Sequence, residues 1–168
     1  MTVPLRIEYM AGSGGIGMSN EKVAMIVVIY SFAGVLTSRI WGKLFDRVSF
    51  VPYRISLNFF LLLSVLIFFL SHSFWGLAIG SALAGVANGG ASIAWSLWVT
   101  KLAPEGLEAE YMGAHVFMTG IRGACAPFLG YFILRLFGFE GMAYFSCTLI
   151  FLSGLIFLTA LKSPRLMV

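Results

Sequence analysis

The sequence predicts an all-α membrane protein with five transmembrane helices. Hydrophobic residues make up 60% of the chain and charged residues only 11%, with a mean hydropathy of +0.94, whereas about a quarter of the residues in soluble proteins are charged. The hydrophobic residues form five segments, which are separated by short polar connections. The segments are 23–41, 52–70, 75–99, 111–136 and 141–161. Each segment is near the length of about 20 residues that a helix needs to cross a hydrocarbon core.

Residues 1–22 are the least hydrophobic part of the chain, and we expect them to lie outside the membrane. They contain no apolar core behind a basic start, so a signal peptide is not expected. Gly12, Gly14 and Gly17 fit the dinucleotide-binding pattern G-x-G-x-x-G, but no strand precedes them and a membrane span follows, so a nucleotide site is not expected either. A flexible external loop that ends at Ser19 or Asn20, the N-cap of the first span, is the better interpretation.

A polar island at residues 42–54 connects the first two segments. Gly42 is expected to end the first helix, and Asp46 to cap the turn that follows. The cations of the island are expected to hold this connection on the cytoplasmic side.

The composition of the segments predicts which helices face lipid. The second and fifth are rich in apolar side chains all round, which suits a lipid environment. The third contains the small-residue pairs Gly76 with Gly80 and Gly85 with Gly89, whose spacing lets helices approach closely. The fourth is similar, with Gly113, Gly120, Gly123, Ala124, Ala126 and Gly130. We therefore expect the third and fourth helices inside the bundle.

The cations predict the orientation of the chain. One side carries Arg39, Lys43, Arg47, Arg54, Lys101, Lys162 and Arg165. The other side carries Arg6, Lys22 and Arg135. The positive-inside rule then places the first group in the cytoplasm, with the N-terminus outside and the C-terminus inside. The expected location is the plasma membrane, the inner membrane of a bacterium.

Polar side chains within the inner spans are the candidates for solute binding. Arg122 lies near the middle of the fourth segment, where a charge costs about 2.5–3.5 kcal/mol unless it faces water or a partner. His115, Thr119 and Arg122 share one helical face by their i, i+4, i+7 spacing. The same spacing occurs at Asn88, Ser92 and Trp95 in the third segment and at Tyr30, Gly34 and Thr37 in the first. Together the three stripes would line one aqueous path.

Other roles remain open for most of these residues. The hydroxyl groups of Ser92 and Thr119 also suit hydrogen bonds to carbonyls of their own helices. Asn88 suits a hydrogen bond between helices as well as a contact with a solute. His115 also fits a structural role, and Trp95 and its neighbour Trp98 also fit packing or a position at the membrane interface.

The polar island also carries a family signature. Gly42, Asp46 and Arg47 match the loop motif of the major facilitator superfamily, which reads Gly, three residues, Asp, Arg or Lys, any residue, Gly and then basic residues. The sequence departs from the motif at Ser49, Phe50 and Val51. Together with the span pattern, this resemblance covers nearly the whole chain.

The resemblance implies a secondary transporter built from two six-helix halves, each an inverted three-plus-three repeat. This chain resembles the second half without its first helix, so residues 1–22 would hold the tail of that helix and an outer loop. The five spans would occupy residues 23–162, and 163–168 would form a cytoplasmic tail. The resemblance also places the second and fifth spans at the periphery and assigns Gly42, Asp46 and Arg47 to gating.

The fourth segment contains a further run that is similar to the glycine-proline motif of the family's antiporters, residues 123–130. Three glycines of that motif are replaced, by Arg122, Ala126 and Tyr131. We therefore do not infer antiport activity from this resemblance. Pro127 must leave a carbonyl near Gly123 without its partner, which predicts a hinge at Gly123 and Pro127.

The predicted function is therefore transport of a small solute by alternating access, as part of a truncated second half that works with a missing or separate first half. Arg122 favours an anionic solute. A non-transporting membrane scaffold is the alternative. No enzyme motif, metal-ligand cluster or cofactor site is visible, and the scattered cations do not indicate nucleic acid. The expected partners are the lipid bilayer, the solute and the other half.

Overall fold

The protein is a bundle of α-helices. The computed structural model describes residues 2–12 and 14–160, and within them it contains five helices and no strand. These are α1 (Thr2–Ala11), α2 (Asn20–Arg47), α3 (Phe50–Leu70), α4 (Phe74–Leu102) and α5 (Glu108–Ala160). By length and composition α2, α3, α4 and α5 are each able to cross a membrane. The predicted fold class, an all-α membrane protein, is confirmed.

The fourth and fifth predicted spans join in α5, which is 53 residues long. The helical backbone is interrupted at Gly138, with φ 69° and ψ −174°. A positive φ of this kind is accessible to glycine because it has no Cβ. We call 108–137 the first limb of α5 and 139–160 its second limb. The expected connection at 138–140 is thus reduced to one residue.

The polar island is mostly helical, contrary to expectation. Gly42 does not end α2, which continues to Arg47, and Asp46 lies in its last turn rather than capping the next helix. Trp41 and Phe45 are both buried on one face of this extension. Their burial outweighs the cost of about 1 kcal/mol for one glycine inside a helix.

The N-terminal segment consists of the helix α1 followed by a loop, the order expected for the tail of a preceding helix and an outer loop. α1 packs into the bundle through buried Leu5, Tyr9 and Met10. The loop is limited to 12–19, where the N–H group of Ile16 donates to the Tyr9 carbonyl oxygen at 2.8 Å. Ser19 is the N-cap of α2, as predicted, but its side chain makes no capping hydrogen bond. The predicted tail at 163–168 lies outside the described residues.

Two hydrophobic cores lie at opposite ends of the bundle. The first, at the end that carries loop 12–19, comprises Leu5, Tyr9, Met10, Ile26, Val65, Phe68, Phe69, Leu77, Ile133, Met142, Ala143 and Cys147. The second comprises Trp41, Phe45, Tyr53, Leu57 and Ala94. We call the end with the first core the glycine-loop end, and the end with the second core, near the 48–49 connection and loop 103–107, the basic end.

α4 lies at the centre, between α2 and α3, as its small residues predict. A Cβ atom at Gly89 would lie 2.6 Å from the carbonyl oxygen of Gly34, and one at Gly85 would overlap the carbonyl oxygen of Tyr30. These two glycines let α2 and α4 pack backbone to backbone.

Two packing expectations are corrected by the structure. α3 is not surrounded by lipid, because one of its faces packs on α4 and α5 and buries Tyr53, Val65, Phe68 and Phe69. The first limb of α5 is not closely packed through its glycines: a Cβ atom at Gly113, Gly120 or Gly123 would meet nothing within 4 Å. The reason is that no other described helix of this chain covers that face.

Candidate solute site

Arg122 lies halfway along the first limb of α5, on the face that turns toward the bundle. The other positions of that face are half-buried or buried, namely His115, Thr119, Ala126, Gly130 and Ile133. The opposite face is apolar and exposed, with exposed fractions of 68% for Phe117, 80% for Phe128 and 61% for Phe132. The Arg122 side chain is exposed although it lies on the bundle-facing side of the limb. It is therefore accessible and is not packed among the other described helices of this chain.

A second guanidinium group, that of Arg54 in the first turn of α3, lies near Arg122. Arg54 is half-buried, and besides this burial the positive charge of Arg122 contributes to its electrostatic environment. No Asp or Glu occurs in α3, in α4 or in residues 111–139. The two arginines thus create a region of positive potential between α3 and the first limb of α5, which an anion would neutralise.

Trp95, Trp98 and His115 form an aromatic cluster between α4 and α5. The His115 ring centroid lies 5.7 Å from that of Trp95 and 5.2 Å from that of Trp98. Two nitrogen atoms of this cluster, Nε1 of Trp98 and Nε2 of His115, are buried and have no hydrogen-bond partner among the described residues. An open groove of about 480 Å³ adjoins the cluster.

The remaining polar residues of these stripes are satisfied locally or are exposed. The Ser92 hydroxyl donates to the carbonyl oxygen of Gly89 at 3.0 Å, and the Thr119 hydroxyl donates to that of His115 at 2.7 Å. Both bonds are of the local kind that the sequence left open as an alternative. Asn88 is exposed on the same face of α4 as Ser92 and Trp95.

Tyr30 lies apart from these residues. Its hydroxyl group is near the buried guanidinium of Arg6, toward the glycine-loop end. Arg6 donates to Ser64 Oγ at 2.6 Å and lies 4.4 Å from the centroid of the Phe68 ring. The other two residues of the stripe on the first span, Gly34 and Thr37, lie against Gly89 of α4.

Gly42, Asp46 and Arg47 lie together at the basic end. Gly42 is half-buried, and the side chains of Asp46 and Arg47 are exposed in the last turn of α2. Nearby, the Lys101 ammonium group of α4 donates to the carbonyl oxygen of Phe45 and, at 2.7 Å, to that of Val48. The connection between α2 and α3 is thus tied to the end of α4.

The two predicted hinge residues lie within continuous helix. Gly123 is exposed and Pro127 is half-buried, and the helical assignment runs through both of them. The backbone leaves helical geometry later, at Gly138. The hinge role of Gly123 and Pro127 stays a prediction.

Three relevant residues were not singled out from the sequence. Arg54 and Lys101 had been counted only as cations that set the orientation, and Trp98 only as a packing or interface residue. The pairing of Arg54 with Arg122 depends on helix packing, so no local pattern could show it. Within the described residues, no cluster of His, Cys, Asp and Glu side chains is suited to hold a metal ion.

Comparison with known proteins identifies the family. The family model described as Major Facilitator Superfamily matches residues 3–166, which is nearly the whole chain. No curated protein and no solved structure matches the chain. The resemblance seen in the loop motif and the span pattern is confirmed. The chain therefore belongs to the Major Facilitator Superfamily, a family of membrane transporters.

Proposed function

We propose that this chain is part of a secondary transporter that moves a small organic anion across the membrane by alternating access. The observation that carries the proposal is the position of Arg122 at the middle of a membrane-spanning limb, with Arg54 of α3 as a second cation and no Asp or Glu in α3, in α4 or in residues 111–139. A charge within a membrane protein usually faces a partner or a wet cavity. Since no carboxylate lies on these stretches of helix, the solute itself is the natural source of the opposite charge.

Arg122 is the better placed of the two to meet a solute. It lies at the middle of a membrane-spanning limb and on its bundle-facing side, whereas Arg54 lies near the basic end. A guanidinium group offers a planar set of donors that matches a carboxylate in two parallel hydrogen bonds. The stripe of Asn88, Ser92, Trp95, His115 and Thr119 would complete the path, with Tyr30 near its glycine-loop end.

A second half would complete the transporter. The uncovered glycines Gly113, Gly120 and Gly123, and the exposed apolar face of α2, are surfaces that neighbouring helices would cover. This chain would then act as the C-terminal half, with its N-terminus outside and the basic end in the cytoplasm of a bacterial inner membrane. Gly42, Asp46 and Arg47 would help to close the basic end, and Gly123 and Pro127 would bend the first limb.

The test replaces Arg122 in the complete transporter and measures solute uptake. Proteoliposomes that contain this chain and its partner half would be supplied with radiolabelled benzoate, succinate or phosphate. Arg122→Ala should abolish uptake of the transported anion without loss of membrane insertion. Arg122→Lys should retain part of the activity, because the charge remains but the planar donor set is lost.

Arg135→Ala is the matched control, because Arg135 is exposed on the opposite face of the same limb. Unchanged uptake in Arg122→Ala would remove this residue from the site. Absence of flux for every anion, with normal insertion and assembly, would favour the non-transporting scaffold.

A further inference from the structure

The groove beside the aromatic cluster is a second place where a solute would fit. It is lined by Trp98, Glu110, Tyr111, Ala114, His115 and Met118. Trp98 lies in the last turns of α4 and His115 in the first turns of α5, so the groove opens at the basic end. Its volume of about 480 Å³ lies within the usual range for small-molecule sites.

Two buried nitrogen atoms in the groove wall lack partners. Trp98 Nε1 is a donor only, so it needs a hydrogen-bond acceptor. His115 Nε2 donates or accepts according to its tautomer. Leaving such a group buried and unpaired costs about 1–3 kcal/mol, so the great majority of buried polar atoms in proteins have partners. Two such atoms on rings whose centroids are 5.2 Å apart indicate an acceptor that enters between Trp98 and His115.

The rest of the wall indicates the body of the ligand. Three aromatic or imidazole rings and the thioether of Met118 surround the space, and such surfaces pack well against a planar ring. The one carboxylate, Glu110, is exposed in the first turn of α5, toward water. It disfavours a negative charge at the rim, and His115 lies five residues further along the helix, or about 7.5 Å along its axis.

α5 makes far fewer contacts with α4 than with α3. Parting the ends of α4 and α5 therefore breaks little packing and opens both nitrogens to a solute. Arg122 lies on the same face as His115, two helical turns further from the basic end, or about 10 Å along the axis. The groove thus lies between the basic end and Arg122 along the first limb of α5.

We propose that this groove is a binding site for an aromatic carboxylate, whose planar ring packs between Trp98, Tyr111 and Met118 and whose carboxylate accepts hydrogen bonds from Trp98 Nε1 and His115 Nε2. The proposal rests on the proposed function, since the groove would bind the solute before it reaches Arg122. It adds the chemical class of that solute and a second binding site, which is formed by residues other than Arg122.

The test measures binding of 4-fluorobenzoate to the full chain in lipid nanodiscs by fluorine NMR. Trp98→Phe keeps the aromatic ring and removes the N–H donor, and should weaken binding by about tenfold to a hundredfold, the size of one hydrogen bond to a charged acceptor. Trp75→Phe is the matched control, because Trp75 is a 74% exposed tryptophan at the other end of the same helix. It should bind as the unmodified chain does. Partition into lipid alone is measured with empty nanodiscs.

A second pair of probes checks the sign of the charge. Glu110→Gln should tighten 4-fluorobenzoate binding, because the repulsive carboxylate is lost, and 4-fluorobenzylammonium should bind more weakly than 4-fluorobenzoate throughout. Tighter binding of the ammonium probe, lost in Glu110→Gln, would make the groove a cation site and overturn the proposal. Equal binding by Trp98→Phe and the unmodified chain would show that water satisfies the two nitrogens, which also overturns it.

The two proposals fail separately. If Trp98→Phe binds the probe as the unmodified chain does, and uptake still depends on Arg122, only the groove proposal is refuted. If Arg122→Ala leaves uptake unchanged, and binding still depends on Trp98, only the proposed role of Arg122 is refuted.

Discussion

A close contact between α2 and α4 gives a quantitative test of the packing. A Cβ atom at Gly89 would lie 2.6 Å from the carbonyl oxygen of Gly34 and 3.3 Å from Thr37 Oγ1. Since carbon atoms approach carbonyl oxygens to about 3.3 Å, Gly89→Ala requires α2 and α4 to separate locally by about 0.7 Å. Overpacking of this kind typically costs about 1–3 kcal/mol.

Gly120→Ala is the control, because nothing lies within 4 Å of its Cβ position. Both variants gain the same helix propensity, so the difference between their unfolding free energies isolates the packing cost. Gly34→Ala should fall between them, since its Cβ atom would lie 3.2 Å from the Gly85 carbonyl oxygen. Unfolding in mixed micelles with increasing dodecyl sulfate, followed by tryptophan fluorescence, measures all three. Equal stability of Gly89→Ala and Gly120→Ala would refute the close packing of α2 on α4.

Two further predictions concern single residues. Lys101→Met should loosen the last turn of α2, because the carbonyl groups of Phe45 and Val48 lose a charged donor worth about 1.5–3 kcal/mol. Faster amide hydrogen exchange at 45–49 is the expected result; exchange as slow as in Lys43→Met, an exposed lysine of the same helix, would contradict it. Gly138→Ala should destabilise the chain by about 1–2 kcal/mol, because alanine resists the positive φ at the break in α5. Gly154→Ala is the control, because Gly154 lies in regular helix and has an open Cβ position. If the unfolding midpoint of Gly138→Ala is no lower than that of Gly154→Ala, the break is not strained.

The sequence predicts the spans well because hydrophobic length is a strong local signal. Helix ends are harder to predict. Gly42 looked like a terminator, yet α2 continues past it since Trp41 and Phe45 find a buried place against Tyr53. That place is formed by another helix, so the local sequence carries no sign of it.

Apolar composition also could not distinguish a lipid neighbour from a protein neighbour. The side chains of α3 that seemed suited to lipid instead form much of both cores, with Phe68 and Phe69 in one and Tyr53 in the other. The glycines of the first limb of α5 looked like packing residues but lie open. For the site, helical spacing correctly placed Arg122 and His115 on one face, whereas the approach of Arg54 follows only from how α3 meets α5.

The lysine that ties α4 to the 48–49 connection limits which parts of the chain can shift independently. Lys101 donates to the carbonyl groups of Phe45 and Val48, and α2 and α4 are in backbone contact. We therefore expect α2, α3 and α4 to move together at the basic end. The five residues of loop 103–107, between α4 and α5, carry no such tie to α2. Any rearrangement at the basic end is therefore expected as a movement of the first limb of α5 relative to α2, α3 and α4, pivoting on the chain between Ala103 and Leu107.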